Sequence, residues 1–325
     1  MTRPGISVII PAHNAAATLR QCLESILNGQ CKPEEIVVVD DRSTDQTAFL
    51  AQTHGAGVIP SPRPGPAAAR NAGGRHASHD LLFFVDADVC LHPDAIARVK
   101  ESFLQPAGFD ALIGSYDDSP AAPGLVSQYR NLLHHYVHQN GSPEASTFWA
   151  GCGAVRGSTF LAAGGFDETY SEPAIEDIEF GYRLRKMGKR IRLDPALQGK
   201  HLKRWTFWGM IRTDVFQRAI PWIELILRDR NLPNDLNVRN SQRVCVVLVF
   251  LILAVPLLPV PAVSALPLLA VVIWLNRRFY AFLARRKGPL FLTGAIPLHL
   301  LCFFYSGLSI PAALLRRISD RRFRN

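Results

Sequence analysis

Three acidic clusters in the 325-residue chain sit where carboxylates can orient, neutralise and deprotonate a ligand. The first is Asp86-Ala87-Asp88, which follows the apolar run LLFFV at 81–85 and precedes Leu91-His92-Pro93-Asp94. Carboxylates one residue apart on an extended chain point the same way. They can hold a hard divalent cation directly and through water, and such a cation neutralises a departing diphosphate as a Lewis acid. The second cluster, Asp40-Asp41, ends another apolar run, where its oxygens can accept hydrogen bonds from a sugar hydroxyl or a base N–H. Asp45 serves either that site or a helix start, with Ser43 as a cap. The third is Glu176-Asp177, after the turn-rich Gly164-Gly165-Phe166-Asp167-Glu168. Adjacent carboxylates at a helix start face different ways, so one can meet an acceptor while the other orients the site. Inverting displacement at an anomeric carbon needs one carboxylate to take the acceptor's proton, and Asp177 is assigned that task.

Two basic or imidazole groups complete the inventory. Arg63 and Arg70 flank Gly65-Pro66-Ala67-Ala68-Ala69 and precede Asn71 and Gly73. Arginine near a helix N-terminus suits phosphate recognition, although Arg63 equally fits a solvated helix face. His134, His135 and His138 form H-H-x-x-H on a predicted helix. With no second-shell partner in view, a helix lining the acceptor cleft is preferred there to a metal site.

The elements that position these groups follow from hydrophobic patterning. ISVII at 6–10, IVVV at 36–39 and LLFFV at 81–85 are continuous apolar runs, as expected of strands buried on both faces of a parallel sheet. A helix over 15–28, capped by Asn14, places Leu19, Cys22, Leu23, Ile26 and Leu27 on one face. Helices over 44–53 and 66–78 fill the next gap, around a turn-rich stretch. The result is a doubly wound, mostly parallel α/β domain. Its ligands are expected beyond the strands' carboxyl ends, where His13-Asn14, Asp40-Asp41 and Asp86–Asp88 fall.

Charge and hydropathy define the remainder. The net charge of +9 gathers in the second half as Arg277, Arg278, Arg285, Arg286 and Lys287, then Arg316, Arg317, Arg321, Arg322 and Arg324. Basic residues flanking apolar runs indicate a membrane surface and argue against nucleic acid. Residues 205–243 mix aromatic and basic side chains, as interfacial amphipathic helices do. The chain is uncharged from Val244 to Leu275 and from Pro289 to Leu315. The second run suits one crossing, and the first suits a hairpin bent at Pro256, Pro259 and Pro261. A full third crossing would put the basic tail outside, against the positive-inside tendency. The predicted organisation is therefore a catalytic domain at 1–204, interfacial helices at 205–243 and a transmembrane segment of two or three helices at 244–325. The six cysteines lack C-x-x-C spacing, which fits a reducing compartment. The first apolar run is too short for a signal peptide, so the first domain is expected in the cytoplasm.

Together the motifs resemble the family-2 glycosyltransferases of GT-A fold over roughly residues 5–205. The matching pieces are Ser7-Val8-Ile9-Ile10-Pro11-Ala12-His13-Asn14, Val39-Asp40-Asp41 with Ser43 and Asp45, Ala69-Arg70-Asn71 with Gly73, Val85-Asp86-Ala87-Asp88, Gly151-Cys152-Gly153-Ala154 and Glu176-Asp177. The resemblance implies an inverting, metal-dependent hexosyltransferase. Its donor is a nucleotide sugar, usually of uridine, bound by Pro11, His13, Asn14, Asp40 and Asp41, with Arg70, Asn71, Asp86 and Glu176 around the diphosphate and sugar. Asp88 would hold Mg²⁺ or Mn²⁺, and Asp177 would be the base. Processive polysaccharide synthases of this family carry Q-x-x-R-W near the end of the domain, whereas this chain has His201-Leu202-Lys203-Arg204-Trp205. The His weakens that alternative and leaves two roles for His201, metal ligand or packed histidine. Imidazole suits manganese better than magnesium. Lys203 and Arg204 are placed at the diphosphate and Trp205 near the acceptor. The expected acceptor is a lipid or lipid-linked glycan of the cell envelope, met by an enzyme integral to the cell membrane.

Overall fold

A computed structural model of the chain describes residues 4–104, 108–236 and 239–322, with the side chains of 320–322 excepted. Arg324 lies outside the described residues, as do the side chains of Arg321 and Arg322. The chain divides into two compact units. One comprises 1–122 with 138–203, and the other 123–137 with 204–325.

The first unit is a mixed sheet with helices. In chain order its elements are β1 (Ile6–Ala12), α1 (Ala16–Leu27), β2 (Glu35–Asp40), α2 (Thr47–Thr53), β3 (Gly57–Pro60), α3 (Pro66–His76), β4 (Leu81–Val85), β5 (Val89–Leu91) and α4 (Ala95–Leu104). They continue with β6 (Ala111–Tyr116), α5 (Leu125–Gln139), β7 (Glu144–Ala145), β8 (Cys152–Arg156), α6 (Gly157–Ala162), α7 (Glu176–Lys186) and β9 (Ile191–His201). Most of α5 belongs to the second unit. The strand order is β3-β2-β1-β4-β8-β6-β9-β5, with β7 also on β9.

The first four strands in that order are parallel, as their unbroken apolar runs predict. Beyond β4 the directions are mixed: β8 is antiparallel to both β4 and β6, β6 is parallel to β9, and β5 is antiparallel to β9. Apolar runs report burial on both faces and carry no information on direction, so the sequence could not show this change. Ile9, Ile10, Phe83, Phe84, Leu112 and Ala154 are all fully buried in one core.

Two registers bring the polar clusters together. Ala12 pairs with Asp40, and Ile9 with Phe84, so the residues after β1, β2 and β4 leave the sheet at the same end. Val89 pairs with His201, and the Leu202 N–H donates to the Asp88 carbonyl at 2.8 Å, so the end of β9 is pinned beside the second acid of the D-x-D.

The expected Asn14 cap is not formed. Asn14 takes a left-handed conformation, with φ of 48°, and its side-chain oxygen accepts from the Thr44 N–H at 2.8 Å. The N–H groups at the start of α1 are met instead from the entry to α2, Ala15 by Thr47 Oγ1 and Ala16 by Asp45 Oδ2. Asp45 thus fills the structural role, as an acid at a helix N-terminus.

The second unit is helical. After the part of α5 it contains come α8 (Phe207–Arg212), a π-helical stretch (Thr213–Ala219), α9 (Ile220–Asp229), α10 (Asn240–Ala254), α11 (Ala265–Leu275), α12 (Arg277–Lys287) and α13 (Leu292–Arg322). Two helical stretches, Asn240–Leu257 and Pro289–Ser319, are long and apolar enough to cross a membrane. At 18 and 31 residues, they match a hydrocarbon core that needs about 20 residues. Helices α11 and α12 meet at Asn276 with a 68° bend and would make a third span only as a broken one. Alone, α11 is about 16 Å long, roughly half a bilayer core. The break between α10 and α11 contains Pro256, Pro259 and Pro261, as expected. Val247, Leu251, Leu253, Leu266 and Trp274 are each about half exposed or more, an apolar surface that water does not favour.

Candidate active site

Arg70 organises the site. It lies on α3, where Pro66 occupies the first turn and Gly65 precedes it. Gly65 has φ of 104°, and a Cβ there would fall 2.5 Å from the Ser171 carbonyl oxygen, so only glycine fits this entry to the helix. The buried Arg70 guanidinium donates from Nη2 to Asp86 Oδ1 at 2.8 Å and from Nη1 to Glu176 Oε1 at 2.7 Å. A planar fork with several donors is the group that can bridge two carboxylates in fixed directions. Burial alone would lower the arginine pKa, but the charges of Asp86, Glu176 and Asp177 overcome it and the pKa rises. The bridge joins the end of β4 to the start of α7. Glu176 Oε2 also accepts from the Ala174 N–H at 2.9 Å, which fixes the turn entering α7.

Asp177, next along α7, is oriented through its backbone surroundings. Oδ2 accepts from the Ala150 N–H at 3.2 Å, and Oδ1 from the Ile178 N–H at 2.8 Å. The Ala150 segment is held close to Asp86. A Cβ on Gly151 would stand 3.0 Å from Asp86 Oδ2 and 2.9 Å from the Trp149 ring, and the Asp86 N–H faces the Gly151 carbonyl at 3.4 Å.

Asp88 meets the expected partner: Oδ2 lies 3.4 Å from His201 Nε2. Burial would raise the Asp88 carboxyl, yet the hydrogen bond and charge of His201, with the charge of Lys203, draw it below its usual value. The His201 ring stacks on Tyr116 at 4.2 Å and 8°, and Tyr116 stands edge-on to Trp149 at 4.8 Å. The two roles considered for His201 are thus compatible, since its ring face is packed while its Nε2 edge meets the carboxylate. Among the described residues no group of three His, Cys, Asp or Glu could hold a metal. A divalent cation fits the Asp88–His201 pair by its donor set, one hard carboxylate oxygen and one imidazole nitrogen, with the remaining positions left to water and ligand oxygens.

The β1–β2 end carries the other polar residues. Pro11 pairs with Val39, and His13 Nδ1 sits 2.6 Å from the Asp41 carbonyl oxygen. Asp40 Oδ1 accepts from the Ser43 N–H at 3.2 Å. Asp41 Oδ2 accepts from the Gly65 N–H at 2.8 Å, while its buried Oδ1 has no hydrogen-bond partner among the described residues. A buried acceptor without a donor costs about 1–3 kcal/mol, so this oxygen favours a ligand hydroxyl or N–H. Arg70 Nε is likewise buried and unpartnered among the described residues.

Three more of the expected site residues have these partners in the structure. Asn71 is buried and its amide is used in the fold: Oδ1 accepts from the Phe166 N–H at 2.7 Å, and Nδ2 donates to the Phe166 carbonyl and to Glu168. It clamps the glycine-rich loop and has no spare donor for a nucleotide. Arg204 and Trp205 belong to the second unit, where the Trp205 N–H donates to Ser127 Oγ at 2.8 Å and Arg130 lies 5.7 Å over the ring. The H-x-x-H histidines form no metal cluster among the described residues; His138 contacts the Gly114 carbonyl at 2.9 Å and His135 stacks on Phe282. Sequence reasoning passed over Tyr116, Trp149 and the Ala150 N–H. The only available signal was the glycine pair around Cys152, which marks close backbone approach.

Residues 7–160 match the sequence profile of Glycosyl transferase family 2, a span that holds every residue of the β1, β2 and D-x-D clusters and stops before Asp177. The chain is 26% identical over 229 residues to the probable glycosyltransferase YdaM of Bacillus subtilis, covering 65% of this chain and 54% of that protein. It is 30% identical over 228 residues to validoxylamine A glucosyltransferase of Streptomyces hygroscopicus subsp. limoneus, covering 57% and 49%. The chain thus spans about half the length of these curated relatives. Among solved structures, it resembles the mannosyltransferase PcManGT of Pyrobaculum calidifontis, determined with GDP-Man and Mn²⁺. The TM-score is 0.61 and the identity 20%, over 92% of this chain and 88% of that one, a likeness of fold. The chain carries a glycosyl transferase family 2 domain built on the GT-A fold.

Proposed function

We propose that the chain transfers a sugar from a nucleotide-sugar donor to a lipid or lipid-linked acceptor, with inversion, at a membrane it enters through its C-terminal helices. The observation that carries this reading is the Arg70 bridge between Asp86 and Glu176. It ties the D-x-D, where a donor diphosphate would be neutralised, to the helix that presents Asp177. Asp40 and Asp41 serve the nucleoside, and the unsatisfied Asp41 Oδ1 is an acceptor suited to a base N–H or ribose hydroxyl. Asp88 and His201 would hold Mn²⁺ or Mg²⁺, which would supply Lewis-acid neutralisation of the leaving diphosphate.

The residues of the chain then do the following. Asp177, oriented by the Ala150 N–H on one oxygen and the Ile178 N–H on the other, takes the acceptor hydroxyl proton. Arg70 and Glu176 keep α7 in register with the donor end. The relatives support donor chemistry more closely than acceptor chemistry. PcManGT was solved with GDP-Man, while another relative is named a validoxylamine A glucosyltransferase, a name without a lipid. The lipid acceptor rests on the two membrane-length helices. The test is release of nucleoside diphosphate from a panel of nucleotide sugars by the full chain in detergent, with membrane lipid extract and Mn²⁺. Donor turnover that chelator stops supports the reading. Pyrophosphate release, or turnover indifferent to chelator, contradicts it.

A further inference from the structure

A groove in the second unit, with a cavity volume of about 560 Å³, is lined by Ile226, Leu227 and Arg230 on one wall and Leu314, Arg317 and Ile318 on the other. The first three lie on α9 or just past its end, and the others on α13. On α13 the spacing i, i+3, i+4 puts Leu314, Arg317 and Ile318 on one helix face, while Ile226 and Leu227 lie in the last turns of α9 and Arg230 follows its end. Four walls are aliphatic and two are cationic. Neither Arg230 nor Arg317 has an ion pair or side-chain hydrogen bond among the described residues, whereas the adjacent Arg316 pairs with Glu224 of α9 at 3.6 Å. That pair ties the two helices together and leaves Arg317 for the groove. Arg230 takes φ of 50° at the end of α9, a left-handed turn in which a non-glycine residue is uncommon.

The position of the groove is informative. The uncharged run of α13 ends at Leu315, and its membrane-length stretch ends at Ser319. The groove therefore sits where an apolar span meets its charged end, the depth at which phospholipid headgroups lie. An aliphatic trough with two unpaired guanidinium groups matches a molecule with a hydrocarbon chain and a phosphate. A water-soluble phosphate ligand would leave the aliphatic walls unused, and a neutral lipid would leave the arginines without counter-charge.

From this we infer that the groove binds an anionic phospholipid, with the headgroup phosphate between Arg230 and Arg317 and an acyl chain along Ile226, Leu227, Leu314 and Ile318. This is a resident lipid held at the membrane-facing unit, separate from the acceptor. The inference rests on the reading that α13 enters a membrane.

Native mass spectrometry of the full chain in neutral detergent, offered equimolar phosphatidylglycerol and phosphatidylcholine, tests it. The expected result is retained phosphatidylglycerol at higher collision energy than phosphatidylcholine. Arg230→Gln with Arg317→Gln should erase that preference by roughly 25-fold, from the contribution of two basic residues near an anionic headgroup. Leu314→Trp, which fills the trough and keeps both charges, should also lower retention, and inorganic phosphate should fail to displace the lipid. Equal retention of the two lipids, an unchanged preference in the double variant, or displacement by inorganic phosphate would each overturn the inference. Alkaline carbonate separates the underlying premise. A chain stripped from membranes by carbonate removes the membrane reading and the groove with it. Carbonate resistance with no headgroup preference removes the groove alone.

Discussion

Replacing Arg70 by Met tests the bridge on which the site is built. The side chain is 7% exposed, its partner Glu176 5% and Asp86 31%. Methionine keeps the length and apolar stem but strands two carboxylates, one of them buried. Removing one partner of a buried ion pair costs about 3–5 kcal/mol. The partial exposure of Asp86 lets water recover part of that, so the lower end, about 3 kcal/mol, applies here. A domain of this size loses about 2–4 °C per kcal/mol, giving a fall in Tm of about 6–12 °C. Arg70→Lys keeps the charge as a single ammonium that cannot fork between both acids, and should fall between the two. Adding Glu176→Gln to Arg70→Met removes one of the stranded charges and should recover stability, a coupling of about 0.5–3 kcal/mol. Melting of the full chain in detergent, followed by tryptophan fluorescence, supplies the assay. An Arg70→Met melt within about 2 °C of wild type, which is below 1 kcal/mol, would refute the bridge as the element holding Asp86 against α7.

Three further outcomes follow from other parts of the structure. His201→Ala should raise the Mn²⁺ concentration needed for half-maximal activity by at least ~10–100-fold, while His201→Gln shifts preference toward Mg²⁺; an unmoved metal titration would leave His201 only its packing on Tyr116. Asp117 accepts from the Ser119 N–H and meets His92 and Lys200, and although burial would raise its pKa these partners bring it below the usual 3.8. A depressed carboxyl contributes stability above its unfolded pKa that is lost as pH falls through the folded value, so Asp117→Asn should lower Tm at pH 7 and bring the variant closer to wild type below about pH 4, whereas a constant gap down to pH 2 would remove that role. Truncation at residue 204 should give an aggregating product, because Tyr129 and Leu132 of α5 are fully buried in the second unit's cluster; a monodisperse fragment would show that α5 finds other cover.

Much of the fold could be read from periodicity. The runs at 6–10, 36–39 and 81–85 became β1, β2 and β4 because a strand buried on both faces needs apolar residues without alternation. The short edge strand β3 was hidden in what looked like a turn, since four residues ending in proline give no period to detect. The uncharged runs marked the membrane-length helices, but the 68° bend at Asn276 depends on packing among helices that hydropathy ignores. Asp40, Asp41, Asp86, Asp88 and Asp177, the acids of the proposed site, stood out in the sequence because apolar runs or a helix start deliver them. Their division of labour did not. Asp86 is taken up by Arg70, and Asn71 by the loop at Phe166, through contacts that link residues 16 and 95 positions apart in sequence. Such pairing follows from topology, and a linear spacing rule cannot supply it. Asn14 illustrates the local version: it has the chemistry of a cap, but its left-handed backbone turns it toward the β2 loop.

The central claim is that Asp177 deprotonates an acceptor attacking from the face opposite a nucleoside diphosphate. The measurement is proton NMR of the product anomeric centre, using the donor that the full chain turns over and comparing wild type with Asp177→Asn. The account predicts an inverted configuration in the wild type. In the variant it predicts a loss of turnover of roughly 10²–10⁴-fold with little change in donor affinity, the scale of a missing general base. A retained anomeric configuration, or an Asp177→Asn enzyme of wild-type turnover, would contradict it.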